Sequence, residues 1–118
     1  MRALALTLTL IVAALHGGFL VLEMFLWERP AGRRIFGTTP EFARASRVLA
    51  ANQGLYNGFL AAGLAWSVAL GAAGVQVRVF FLACVVVAGL YGACTVNRRV
   101  LIVQALPAAL ALAATCLS

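Results

Sequence analysis

The chain alternates between long apolar runs and short polar breaks. Four apolar runs are readable, at about residues 3–27, 45–73, 77–96 and 100–117. Each approaches the ~20 apolar residues that a helix needs to cross a hydrocarbon core. The second and third breaks are very short, which makes consecutive helices antiparallel neighbours. The pattern predicts an all-α polytopic membrane protein. It forms one domain, residues 1–118, with four transmembrane helices in an up-down bundle.

The first break, residues 28–44, is the only substantial loop. Pro30, Gly32, Gly37 and Pro40 argue against a continuous helix through it. Thr39-Pro40 reads as an N-cap followed by proline at the first helical position. Thr38 and Glu41 have capping-box spacing, so two cap choices compete. Helix two then begins near Pro40, with Arg44 and Arg47 able to snorkel from the headgroup zone.

Composition strengthens the membrane reading. The 118 residues are 64% hydrophobic and 10% charged, with a mean hydropathy of +1.04. A soluble domain carries about 25% charged residues. The net charge of +6 comes entirely from arginine as the basic residue, since lysine is absent. In a soluble protein such basicity would suggest nucleic acid. Here the arginines sit at span ends, where anionic lipid and topology explain them.

Arg29, Arg33, Arg34, Arg44, Arg47, Arg98 and Arg99 fall on one side, against Arg2 and Arg78 on the other. The positive-inside rule places the larger group in the cytoplasm, with both termini outside a plasma (inner) membrane. Residues 1–18 also carry signal-peptide features. Hydrophobicity unbroken to Trp27, without a clean cleavage site, favours a retained span. Cys84, Cys94 and Cys116 lie in apolar runs without CxxC spacing, so they read as small buried hydrophobes. No metal site and no cofactor are expected.

Two ionisable residues interrupt the first run. His16 and Glu23 are seven residues apart, within ~20° of each other on one helix face. An ionisable group inside a span costs ~2.5–3.5 kcal/mol on insertion scales and usually faces a bundle interior or cavity. Asn52, Gln53, Tyr56 and Asn57 lie in helix two, Tyr91 in helix three and Gln104 in helix four. All are expected at one depth, in the cytoplasmic half. With helices one and two paired, His16 is level with Tyr56. Gly54 and Gly58 form a GxxxG packing face separate from the polar face. Pro107 frees the Val103 carbonyl close above the cluster.

Plainer readings stand beside these. Glu23 can snorkel to headgroups, His16 can be a neutral packing residue, and the carboxamides can be interhelical glue. Trp66 and Tyr91 can be interface aromatics.

Three segments carry a resemblance. They are Glu23-Met24-Phe25-Leu26-Trp27, then Ile35-Phe36-Gly37, then the run from Asn52-Gln53-Gly54-Leu55-Tyr56-Asn57-Gly58 to Leu64. His16, Gln104 and Pro107 also sit in the expected places. The chain resembles the small four-helix bacterial membrane proteins of the domain-of-unknown-function 1304 family over nearly its whole length. The resemblance implies a four-span membrane protein and brings no activity with it.

Function therefore rests on chemistry. One reading is a cofactor-independent acid–base enzyme acting on a lipophilic small molecule, by isomerisation, epimerisation or cyclisation. Glu23, His16 and Tyr56 would be catalytic, with Asn52, Gln53, Asn57, Tyr91, Gln104 and Trp27 binding substrate. A second is a proton-coupled transporter, similar in length and span number to small multidrug-resistance proteins. The remaining motifs of that family do not match, and Glu23 lies near one end of its span. A third is an accessory subunit with the polar cluster as glue. The expected partners are membrane lipid and a lipophilic substrate, with nucleic acid excluded and homodimerisation left open.

Overall fold

A computed structural model describes residues 1–118 and is all-α. The helices are α1 (Arg2–Met24), α2 (Pro30–Phe36), α3 (Pro40–Ala69), α4 (Val75–Thr95) and α5 (Leu106–Leu117). A 3₁₀ turn, Gly71–Gly74, leads directly into α4, and a π turn, Leu101–Ala105, leads into α5. Two segments are long and apolar enough to cross a membrane, Arg2–Met24 and Gly71–Thr95. Leu101–Leu117 is apolar but shorter. The 30-residue α3 is long enough, but Arg44, Arg47, Asn52 and Gln53 lie in its first half and Asn57 just beyond.

The chain divides into two compact units, residues 1–15 with 60–118, and residues 16–59. The first is centred on Val12, Leu64, Leu82, Val85, Ala108 and Ala111. Small residues let its helices approach closely. A methyl on Gly63 would strike the Phe81 ring, and one on Gly89 would come within 2.7 Å of the Ala105 Cβ. Its buried hydroxyls are satisfied within their own helices. Thr9, Ser67 and Thr115 donate to the carbonyls of Ala5, Leu64 and Ala111, a local solution that needs no water. Buried Arg78 donates from its guanidinium to the Ser67 carbonyl at 3.2 Å, in the last turn of α3. A cation there suits the negative end of the helix.

The π turn has an identifiable cause. Pro107 has no N–H for the Val103 carbonyl, and its ring crowds that carbonyl. The backbone widens, and the Leu106 N–H bonds five residues back to Leu101. The expected disturbance at Pro107 takes this form.

In the second unit, α1 ends at Met24, where the Val21 carbonyl accepts from both Phe25 and Leu26. The link expected as a loop contains α2. Pro30 opens it and Gly37 closes it in the left-handed conformation, with φ 66°. Thr38 N–H bonds back to Arg33 across the cap, which is the Schellman arrangement. Gly32 lies against the Leu26 carbonyl, leaving no room for a side chain. Thr39 wins the competition to cap α3, since its Oγ1 accepts from Phe42 N–H at 3.2 Å. The Thr38 hydroxyl is buried with no partner.

The surface is apolar in large part. Phe25, Val48, Leu49, Phe59, Trp66, Phe80, Val87 and Leu90 are among the large side chains left at least half exposed. The buried positions include His16, Glu23, Asn57 and Arg78. Exposed large apolar side chains in this number, beside buried ionisable ones, depart from the surface of a soluble domain.

Candidate functional site

The site grows from one seam of α1. Ala5, Thr9, Val12, His16 and Glu23 are its buried positions, spaced by threes, fours and sevens. Such spacing keeps one face inward along a helix. Glu23 lies in the last turn and is only 5% exposed. The Asn57 side-chain amide of α3 donates to Glu23 Oε1 at 2.6 Å.

The glycines make that bond reachable. A methyl on Gly54 would meet Glu23 Cβ at 3.0 Å and the Leu20 carbonyl at 3.2 Å. One on Gly58 would meet the Leu20 Cδ1 methyl at 2.5 Å. The α3 backbone therefore lies directly on α1 here, and the short Asn57 side chain spans the gap. Asn57 sits between the two glycines on the packing face. The expected division into a polar face and a separate GxxxG face does not hold for it.

A cleft of about 420 Å³ opens beside Glu23. Glu23, Met24, Phe25 and Trp27 line it from the end of α1, with Glu28 and Arg29 beyond. Arg47, Val48 and Ala51 line it from α3. Trp27 is fixed at the wall. Its indole N–H donates to Ser46 Oγ at 3.1 Å, and Ser46 donates to the Phe42 carbonyl at 2.7 Å. Phe36 packs on the indole with ring centroids 5.0 Å apart. Arg47 faces Glu28 at 3.8 Å across the cleft. Both side chains are well exposed, so the pair contributes ~1 kcal/mol at most. The donor that Glu23 receives from α3 is the neutral Asn57 amide, and the Arg47 guanidinium is paired with Glu28 instead.

The other expected site residues are placed differently. His16 is fully buried, edge-on to Phe19 with centroids 5.4 Å apart. Tyr56 lies largely at the surface of its helix. The phenol is 56% exposed and packs on Phe59 of its own helix. Asn52 and Gln53 are exposed. The reason is angular. Tyr56 and Asn52 lie ~160° from Gly54 around α3, so a helix that buries Gly54 turns them outward. Tyr91 and Gln104 belong to the other unit. Tyr91 is 72% exposed, and Gln104 is half-buried in the π turn. Among the expected residues, the structure brings together Glu23, Asn57 and Trp27.

Glu28, Arg29 and Arg47 were not anticipated as site residues. Their charges at the ends of the apolar runs read only as topology, although Trp27-Glu28-Arg29 already placed an aromatic, an acid and a base together. No three His, Cys, Asp or Glu side chains lie close enough to hold a metal ion.

A family model described as "Protein of unknown function (DUF1304)" matches residues 10–116. The chain belongs to that family. The match takes in both Glu23 and Asn57, and so covers the whole candidate site. One relative is the uncharacterized protein YpaA of Lactococcus lactis subsp. lactis (strain IL1403). It is similar to this chain at 31% identity over 114 residues, which cover 95% of this chain and 96% of that protein. No solved structure matches the chain.

Proposed function

We propose that this DUF1304 protein is a multi-pass plasma-membrane protein that performs proton chemistry on a lipophilic small molecule at Glu23. The four apolar segments cross the bilayer in up-down order, with the arginine-rich links in the cytoplasm and both termini outside. The exposed Phe, Leu and Val side chains support this, since hydrocarbon is the solvent that suits them. Helix contacts built on glycine and alanine support it too, because van der Waals packing replaces hydrophobic burial as the force between helices in lipid.

The observation that carries the chemical reading is the Glu23–Asn57 pair beside an open cleft. A buried carboxyl held by a neutral amide at the edge of a cleft is placed to take and return a proton. The Asn57 amide fixes its orientation. Isomerisation, epimerisation or proton-initiated cyclisation fits this equipment, because each needs one positioned acid–base group. His16 is buried on the same seam.

The test is Glu23→Gln in the native chromosome, scored for membrane abundance and for the phenotype of a deletion. Abundance equal to wild type with the deletion phenotype supports proton chemistry. Wild-type behaviour rejects it and leaves the pair as interhelical glue. Purified protein in liposomes then separates the two proton-using modes. Turnover without net transport selects the enzyme, and substrate-coupled proton flux selects a carrier.

A further inference from the structure

The lining of the Glu23 cleft is divided by chemistry. Part of the lining is apolar: Phe25 and Val48 belong to it and are 67% and 75% exposed. Part is charged: Glu28, Arg29 and Arg47. The indole of Trp27, held by Ser46, also lines the cleft. At about 420 Å³ the cleft lies within the usual ~300–1,000 Å³ of small-molecule sites.

The charges are not equally available. Glu23 is occupied by Asn57 and almost sealed. Glu28 faces Arg47, and its backbone carbonyl accepts from Arg33 Nε at 3.2 Å. Arg29 makes no ion pair. Arg47 is held only by a long, exposed contact, which a better anion would displace. The charge left over for a ligand is cationic, and guanidinium groups bind phosphate and carboxylate through paired N–H donors.

We propose that the cleft takes an anionic amphiphile, a single-chain lipid-like phosphate or carboxylate, which enters sideways from the bilayer. Arg29 and Arg47 hold the head. The chain leaves between Phe25 and Val48 into the hydrocarbon. The first carbons below the head then lie beside Trp27 and the Glu23 carboxyl. This inference rests on the acid–base reading of the same site and names its substrate class.

The test uses Trp27 as the reporter. The protein has two tryptophans, so the Trp66→Phe variant leaves Trp27 alone. Trp66 is exposed and outside the cleft. Brominated twelve-carbon alkyl phosphate, alkyl ammonium and alkyl alcohol are titrated into the purified protein in non-ionic micelles, and indole quenching is read. The expected result is saturable quenching by the phosphate, about tenfold tighter than by the other two, or one decade in Kd. Arg29→Gln combined with Arg47→Gln removes the preference, and Arg98→Gln, in the other unit, keeps it. Unbrominated dodecyl phosphate competes, and inorganic phosphate at the same concentration does not.

Equal quenching by the three head groups overturns the proposal. So does a preference that survives the double substitution. Competition by inorganic phosphate as strong as by dodecyl phosphate assigns the site to a soluble anion and overturns lateral entry. Glu23→Gln separates this inference from the reading beneath it. A retained phosphate preference with a wild-type Glu23→Gln phenotype defeats proton chemistry alone. A lost preference with an inactive Glu23→Gln defeats the amphiphile alone.

Discussion

The Asn57 amide of α3 donates to the Glu23 carboxyl of α1 at 2.6 Å, in the turn where Gly54 brings the two backbones together. A polar contact and a close-packed contact therefore occupy the same turn, and each depends on the other.

Asn57→Leu is expected to destabilise the protein more than Glu23→Gln. The leucine leaves the buried carboxyl without its donor, at a cost of ~1–3 kcal/mol. The glutamine keeps a carbonyl acceptor for Asn57 and sheds a buried charge. Thermal unfolding in detergent measures both. A Glu23→Gln midpoint below that of Asn57→Leu contradicts the ranking.

The two glycines are expected to differ. Alanine at Gly54 meets the Met24 Cγ at 2.8 Å, and behind it the Glu23 Cβ and the Leu20 carbonyl, neither of which moves easily. Alanine at Gly58 meets only the end of the flexible Leu20 side chain. Gly54→Ala should cost ~1–3 kcal/mol and Gly58→Ala clearly less. Equal melting temperatures for the two variants would refute the close approach at Gly54.

Thr38 and Thr39 provide a paired test of the cap. Thr39→Ala removes the acceptor for Phe42 N–H and should cost ~1 kcal/mol. Thr38→Val removes a buried hydroxyl that has no partner, and should be neutral or stabilising. Unfolding midpoints falling in the opposite order would return the cap to Thr38.

Two native cysteines report topology. Cys94 and Cys116 are exposed, in the last turns of α4 and α5. With both termini outside, a membrane-impermeant maleimide should label Cys116 in intact cells and reach Cys94 only after permeabilisation. Mass spectrometry of the labelled peptides checks this, and the reverse pattern inverts the proposed orientation.

Much of the helix layout was legible in the chain. Pro40 announced the start of α3, and the fourth apolar run matches the segment Leu101–Leu117. Helix α2 is hidden in the chain because Pro30 and Gly37 read as breakers. In fact they occupy the two ends where proline and glycine favour a helix. Glu23 was legible as an inward residue, because an ionisable group in an apolar segment has few other places to go. Its partner was not legible. Asn52, Gln53, Tyr56 and Asn57 were equivalent candidates within one stretch of α3.

The sequence alone determined the all-α class, the approximate helix boundaries, the seam that carries His16 and Glu23, and the close packing at Gly54 and Gly58. These follow from periodicity and local backbone chemistry, which act along one chain segment at a time. Only the tertiary structure decided that Asn57 meets Glu23 while Tyr56 turns outward. It also decided that Glu28, Arg29 and Arg47 share a cleft with Glu23 and Trp27. A helix fixes the angles between its own side chains at ~100° per residue. The rotation of the whole helix against its neighbour is set by which small residues let the two backbones touch, and that is a property of the pair.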